Sequence, residues 1–182
     1  LTDNSKVICV QLSLFADMMK GREWTPASLQ EVGGTSGVGV AFLDETFAAK
    51  TAPPTHRLHA KAAQAVLKSL LPEVGTDIKG QMQPAERLLE CSGYASRPSD
   101  FRDLLQILNS ELRLITPTDP EGSDTESRRE SNSIYYQLTH DYLVGPLRDW
   151  LTRKQQESYR GRAELRLAET AALWRRAPER SV

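Results

Sequence analysis

The most suggestive chemical groups of this chain lie in the stretch IYYQLTHDYLVGPLRDW, residues 134–150. An aromatic, strand-like segment runs into Thr139-His140-Asp141, and an amphipathic helix is predicted to follow at once. If Thr139 caps that helix, His140 and Asp141 occupy its first turn, where backbone N–H groups are unsatisfied. Such a helix start can bind an anion, and a histidine there can add a donor to a phosphate. The alternative is that His140 packs against the neighbouring strands and donates to a backbone carbonyl.

Two other patterns invite a chemical interpretation and do not support one. In the glycine-rich stretch GGTSGVGVA, counted from Gly34, the lysine and hydroxyl positions of a phosphate-binding loop hold Val40 and Ala41. We interpret that stretch as a flexible connection between helices. His56 and His59 are three residues apart with no third metal ligand nearby, which predicts a surface pair beside a proline-rich hinge.

The composition sets limits on function. Lys plus Arg number 23 against 24 Asp plus Glu, a net charge of −1, which argues against nucleic acid or an anionic membrane as the partner. No apolar run reaches the roughly 20 residues that span a bilayer, and no signal peptide is recognisable. Cys9 and Cys91 match no metal-ligand spacing and predict two buried thiols in a reducing cytoplasm. The closely spaced acidic residues are interpreted as solvated helix faces: Asp44, Glu45, Asp100 and Asp103.

The elements that must position His140 are predicted to form a mainly α chain. A first, helical domain covers residues 1–52, with Thr25 as the N-cap of its second helix. Its helices are predicted at residues 6–20, 25–34 and 39–49. Because the chain begins with Leu1 rather than Met, we expect it to be a piece of a longer protein.

A winged-helix domain is predicted over residues 56–150, because three helices are followed by a two-stranded β-hairpin and a further helix. The helices are predicted at residues 58–72, 83–94 and 97–111, and the strands at residues 112–118 and 134–139. The first helix is expected to turn Leu58, Ala62, Ala65, Val66 and Leu70 inward, and the third to bury Phe101, Leu104, Leu105 and Leu108. Ser99 is expected to cap the third helix. The polar residues 119–132 are predicted to form a long mobile loop at the tip of the wing.

The C-terminal part of the chain is predicted to be helical beyond residue 140. Gly145-Pro146 should kink or restart that helix, because proline cannot donate to the carbonyl of Tyr142. Residues 151–182 are predicted to form one basic helix leading to an unseen domain. Its apolar residues form two neighbouring stripes, Leu165, Ala168, Ala172 and Leu167, Ala171, Trp174.

Several stretches together are similar to one family. YYQLTHDYLVGPLRDWL, GRAELRLAETAALW, LSLFADMMKGREWTPASLQEVGG and LRLITPTDPEG resemble the helical and winged-helix region of bacterial STAND-type signal-transduction NTPases. These are related to NACHT and AP-ATPase proteins, and the likeness is to large planctomycete-type multidomain proteins. The most specific part is the stretch from Tyr135 to Trp174, whereas the first three helices are generic.

The resemblance implies that Thr139, His140 and Asp141 correspond to the Met-His-Asp motif, whose histidine contacts the β-phosphate of ADP in related proteins. His140 would be the phosphate contact, Asp141 would orient the helix start, and Thr139 stands where methionine is usual. The chain has neither a Walker A lysine nor a convincing Walker B strand. It is therefore expected to be no enzyme by itself and to bind no cofactor alone, whereas its parent would be an ATPase that binds ADP and ATP.

The function predicted is that of a regulatory module in a cytoplasmic protein. It would close over ADP on the NTPase core of the same chain and control activation and homo-oligomer formation, with no nucleic acid as partner. One alternative is a DNA-binding winged-helix regulator, but SDFRDLLQ, its recognition helix, carries two carboxylates, and Arg128-Arg129 in the wing are flanked by Glu126 and Glu130. A second alternative is a protein–protein adaptor that docks through residues 153–176, with His140 in a structural role.

Overall fold

The structure is a computed structural model that describes residues 2–3, 6–7, 15–21, 23–31, 34–72, 81–118 and 134–176. The helices are α1 (Pro26–Glu31), α2 (Gly34–Phe47), α3 (Pro54–Ser69), α4 (Ala85–Cys91), α5 (Pro98–Gln106), α6 (Val144–Glu157) and α7 (Tyr159–Arg176). The strands are β1 (Thr2–Asp3), β2 (Lys6–Val7), β3 (Gln83–Pro84), β4 (Ile115–Thr118) and β5 (Tyr135–Leu138). A π-helical turn (Ile107–Glu111) follows α5, and a 3₁₀ turn (Asp141–Leu143) precedes α6. The described chain is mainly α, as the sequence predicts.

The larger sheet has three antiparallel strands in the order β3-β5-β4. In the β4–β5 hairpin, which the sequence predicts, Ile115 pairs with Leu138. The third strand was not predicted: Gln83 pairs with Tyr136 on the other side of β5. A two-residue strand that contains Pro84 carries almost no periodic signal, and proline is tolerated there because β3 is an edge strand.

One hydrophobic cluster joins α2, α3, α5, the β4–β5 hairpin and α6, with Trp150 fully buried. Helix α2 lies against α6 at unusually short range, since a Cβ at Gly39 would lie 2.6 Å from Cβ of Pro146. Residues from both predicted domains, 1–52 and 56–150, therefore contribute to the same core. The boundary between them stays a prediction.

The N-terminal predictions are partly wrong. Lys6–Val7 is a strand paired with Thr2–Asp3 rather than the start of a helix; helical structure is described only at residues 15–18, and residues 8–14 lie outside the described residues. Most of GGTSGVGVA belongs to α2 rather than to a flexible connection, because small residues there allow the close contact with α6. Thr25 does cap α1, since its Oγ1 accepts a hydrogen bond of 3.1 Å from the Ser28 N–H.

Two details of α3 and α5 also differ from expectation. Leu58 is 70% exposed, and the inner side of α3 is instead formed by His56, His59, Ala62, Ala63, Val66 and Leu67. The helix begins four residues earlier than predicted, at Pro54, and α3 as a whole places Leu58 outward. Ser99 does not cap α5, because Pro98 already occupies the first helical position and Arg97 precedes it without a side-chain cap. The predicted wing tip, residues 119–132, lies outside the described residues.

The C-terminal region is two helices rather than one. The backbone breaks at Ser158, whose Oγ accepts a hydrogen bond of 2.9 Å from the Gly161 N–H at the start of α7. A Cβ at Gly161 would overlap the backbone of Gln155, so the bend requires glycine at this position. Gly145 and Pro146 lie in the first turn of α6, where a missing N–H costs nothing, so the helix is restarted rather than kinked. No helix in the described parts of the chain is long and apolar enough to cross a membrane.

Candidate functional site at the start of helix α6

The turn that carries the predicted site residues is fixed by the sheet rather than by a helix cap. The N–H of Thr139 donates to the carbonyl of Leu114 at 3.0 Å, which continues the β4–β5 pairing by one residue. His140 is still extended, at φ −147° and ψ 141°, and its carbonyl accepts from the N–H of Leu143 at 3.1 Å. The prediction that Thr139 is the N-cap is therefore wrong: His140 takes that position, before a 3₁₀ turn and not an α-helix.

The side chains at this turn have few partners. The imidazole of His140 is half-buried and makes no hydrogen bond to any residue that the structure describes. The hydroxyl oxygen of Thr139 is buried and also lacks a partner among the described residues. Asp141 is exposed in the first turn, and no side chain caps the turn. A hydroxyl, an imidazole and an uncapped helical start thus lie on three consecutive residues.

The packing below the turn keeps it in place. Leu143 and Leu147 are fully buried in the core, and Tyr142 is half-buried beside them. Burial raises the pKa of the Tyr142 phenol above its ordinary value. The polar groups of residues 139–141 are therefore held by buried neighbours, while their own hydrogen-bonding capacity is unused within the described chain. An anion is the ligand that such a donor set can bind.

Polar groups at the other end of α6 are fully engaged. The indole N–H of Trp150 donates to Oδ1 of Asp44 at 2.9 Å, and the Lys154 ammonium contacts the same oxygen at 2.9 Å and Glu157 at 2.8 Å. Burial lowers the pKa of Lys154, but the hydrogen bonds with Glu157 and Asp44 outweigh it and raise the pKa above its ordinary value. Asp44 was predicted to lie on a solvated face; instead it joins α2 to α6.

The other two histidines are not a surface pair. His56 and His59 are both buried: Nε2 of His56 donates to Glu111 at 3.0 Å, and Nδ1 of His59 shares a hydrogen bond of 2.8 Å with the hydroxyl of Tyr94. Helix α3 places both on its inner side because it begins before them. Each therefore links α3 to a later part of the chain. Within the described ranges no three metal-binding side chains come together.

Two remaining expectations concern the thiols and the face of a recognition helix. Cys91 is exposed rather than buried, and Cys9 lies outside the described residues. On α5, Asp100 forms an ion pair of 3.2 Å with Arg97, while Arg102 and Asp103 are exposed. The outer face of α5 thus presents both signs of charge, which gives no basic surface for a nucleic-acid backbone.

Sequence reasoning missed the cluster of Asp44, Trp150 and Lys154. A signal was available in part: a tryptophan on the apolar side of a helix needs an acceptor for its N–H when buried. The four-residue spacing of Trp150 and Lys154 placed both on one side of α6. Only the packing of α2 on α6 could identify Asp44 as their partner, 106 residues from Trp150 along the chain.

Comparison with known proteins adds no relative. No protein-family model matches the chain, and no curated protein or solved structure matches it. The functional argument therefore depends on the residues at the start of α6 and on their surroundings.

Proposed function

We propose that this chain is a regulatory module of a cytoplasmic STAND-type NTPase, and that its winged-helix region closes over ADP bound to an NTPase core of the same protein. The observation that carries the proposal is the unpartnered imidazole of His140 at the start of α6, next to the buried, unpartnered hydroxyl of Thr139. In the closed state His140 would donate to a phosphate of ADP, and Asp141 would help orient the turn. The chain itself would carry out no chemical step.

The site fits a phosphate by its donor set. The imidazole, the Thr139 hydroxyl and the first N–H groups of the helical segment can all donate hydrogen bonds, and the helix dipole favours negative charge at this end. The segment from Asp141 to Glu157 is continuous apart from the change from 3₁₀ to α geometry at Val144. A contact made at its start would therefore be transmitted to the core through Leu143, Leu147 and Trp150, which are all buried.

The regulatory effect follows from population shift. A hydrogen bond that exists only in the ADP-bound closed state stabilises that state by its own free energy, about 1–3 kcal/mol for one coupling. ATP, whose additional phosphate would not fit the closed arrangement equally well, would favour the open state and permit homo-oligomer formation. Loss of the His140 contact should accordingly raise spontaneous activation.

The test compares ADP release from the longer protein that carries this chain, as wild type, His140→Ala and His140→Gln. We expect His140→Ala to release a fluorescent ADP analogue about 5- to 150-fold faster, the range equivalent to one coupling of this size. His140→Gln keeps a donor and should be intermediate. Asp149→Ala, at an exposed position of α6, is the matched control and should behave as wild type.

Thermal unfolding of each variant shows whether the fold is intact. Unchanged ADP release in a folded His140→Ala protein would return His140 to a structural role. A longer protein that binds no ADP or ATP would overturn the proposal as a whole. Increased oligomer formation by His140→Ala in the presence of ADP would support it further.

A further inference from the structure

Helix α7 is apolar on two opposite sides, and only one of them is covered. Gly161 is buried and Leu165 half-buried on the side that faces α6. On the other side Tyr159 is 83%, Leu167 71% and Trp174 58% exposed. A helix that is apolar on both sides is typical of one that is buried on both sides. Large apolar side chains exposed together mark an interaction surface rather than an ordinary protein surface.

We name the uncovered side the α7 stripe and define it by Ala163, Leu167, Thr170 and Trp174. These residues follow one another at spacings of four, three and four, so they form one line along the helix. The Thr170 hydroxyl donates to the carbonyl of Arg166 at 2.8 Å, so its polar group is satisfied within the helix. Its hydroxyl therefore needs no partner from outside, and Thr170 does not oppose an apolar contact.

The order of large and small side chains along the α7 stripe is self-complementary. For two α7 helices packed antiparallel about a two-fold axis between residues 168 and 169, Trp174 of one lies opposite Ala163 of the other. About the same axis Leu167 lies opposite Thr170. Each contact thus pairs a large side chain with a small one, as interdigitated packing requires. In a parallel pair, by contrast, Trp174 would meet Trp174 and Ala163 would meet Ala163.

The charges beside the α7 stripe fit the same arrangement. Arg166 and Glu169 are both exposed, and neither forms an ion pair with another residue that the structure describes. About the same axis, Arg166 of one copy lies within two residues, about 3 Å along the helix, of Glu169 of the other. Two-fold symmetry makes this pair twice. The charges are therefore matched between copies of this chain, whereas a purely acidic partner would leave Glu169 opposed by like charge.

We propose that the α7 stripe is an interface between two copies of this chain, which pack their α7 helices antiparallel with Trp174 against Ala163. The interface is smaller than the standard size for stable complexes, so the association is weak and depends on concentration. It concerns a different face of the molecule from the start of α6 and does not depend on nucleotide binding.

The test is sedimentation velocity of the 182-residue chain at concentrations up to about 200 µM, since a small helix pair associates weakly. The wild-type mass is expected to rise from 20.3 kDa toward twice that value. Leu167→Ala should weaken association about tenfold or more, as removal of a central interface side chain does. Leu58→Ala is the matched control, because Leu58 is 70% exposed on α3, outside the α7 stripe.

A size swap tests the register. Ala163→Trp should block the contact by clash with Trp174, and Trp174→Ala should weaken it by leaving a void. The double variant Ala163→Trp/Trp174→Ala exchanges large for small at both ends and should restore association to within about threefold of wild type, as coupled neighbours do. A wild-type chain that stays monomeric would overturn the proposal, and so would an equal effect of Leu58→Ala or a double variant no better than the single ones.

Discussion

The two ends of helix α6 carry similar polar groups and treat them in opposite ways. At the C-terminal end, Trp150 and Lys154 share Asp44 as a partner on α2, with distances of 2.9 Å. At the N-terminal end, the side chains of Thr139 and His140 have no partner among the described residues, although Thr139 Oγ1 is buried. A buried polar group without a hydrogen bond costs free energy unless something else satisfies it.

The difference separates architecture from a candidate for binding. Satisfied polar groups are explained by the fold that they stabilise, and they need no ligand. Unsatisfied ones on a well-packed support are where a ligand would gain most. By the same criterion, His56 and His59, which have partners, belong with the Trp150 end, and His140 stands apart. Four changes would break or sharpen this comparison.

The largest effect is expected from Trp150→Ala. Trp150 is fully buried, and its removal takes away packing against Phe47 and the hydrogen bond to Asp44. We expect a loss of about 3–5 kcal/mol in the free energy of unfolding, measured by urea titration. Trp174→Ala, at an exposed tryptophan, is the control and should change stability by less than about 0.5 kcal/mol. Similar losses in both would show that α6 does not organise the core.

The second prediction contrasts two histidines. His59→Ala leaves the hydroxyl of Tyr94 without its buried partner and should cost about 1–3 kcal/mol in urea titration. His140→Ala removes no hydrogen bond within the described chain and should cost less than about 0.5 kcal/mol. The comparison fails if His140→Ala is as destabilising as His59→Ala, because His140 would then be part of the architecture.

The third prediction concerns the close contact of α2 and α6. Gly39→Ala places a Cβ 2.6 Å from Pro146, and the rigid ring cannot move aside without shifting the helix. We expect a net loss of about 1–2 kcal/mol, since the gain in helix propensity only partly offsets the overpacking. Gly145→Ala is the control, because a Cβ there meets nothing within 4 Å. If Gly39→Ala were as harmless as Gly145→Ala in thermal unfolding, the two helices would not pack as closely as described.

The smallest effect is a pH dependence. Although burial lowers the pKa of Lys154, hydrogen bonds to Glu157 and Asp44 leave it above its ordinary value of 10.5. The folded chain therefore binds this proton more tightly than the unfolded chain, so the contribution to stability is complete below the ordinary pKa and is lost as the pH rises through the folded-state value. The stability difference between wild type and Lys154→Gln should be constant from about pH 7 to 9 and shrink above about pH 10. A difference that grows with pH would give the wrong sign.

Local sequence signals predicted the elements of the fold well where periodicity was long or a cap was specific. The apolar side chains of α5 and α6, the Thr25 cap of α1 and the β4–β5 hairpin are present as predicted. The predictions failed where short-range signals compete with packing. Glycines in α2 look like a loop, but one of them is required for the contact with Pro146, and β3 is too short to show any period.

The sequence by itself determined that the chain is mainly α and that a helix follows the second strand of the hairpin after Asp141, because periodic apolar residues and turn residues act over a few positions. It also determined that Thr139, His140 and Asp141 are neighbours. The tertiary structure alone decided which polar groups are satisfied: Asp44 meets Trp150, and Tyr94 meets His59, across long separations in the chain. Those pairings depend on how whole helices pack, which no local pattern encodes, and they leave His140 as the histidine without a partner in the described chain.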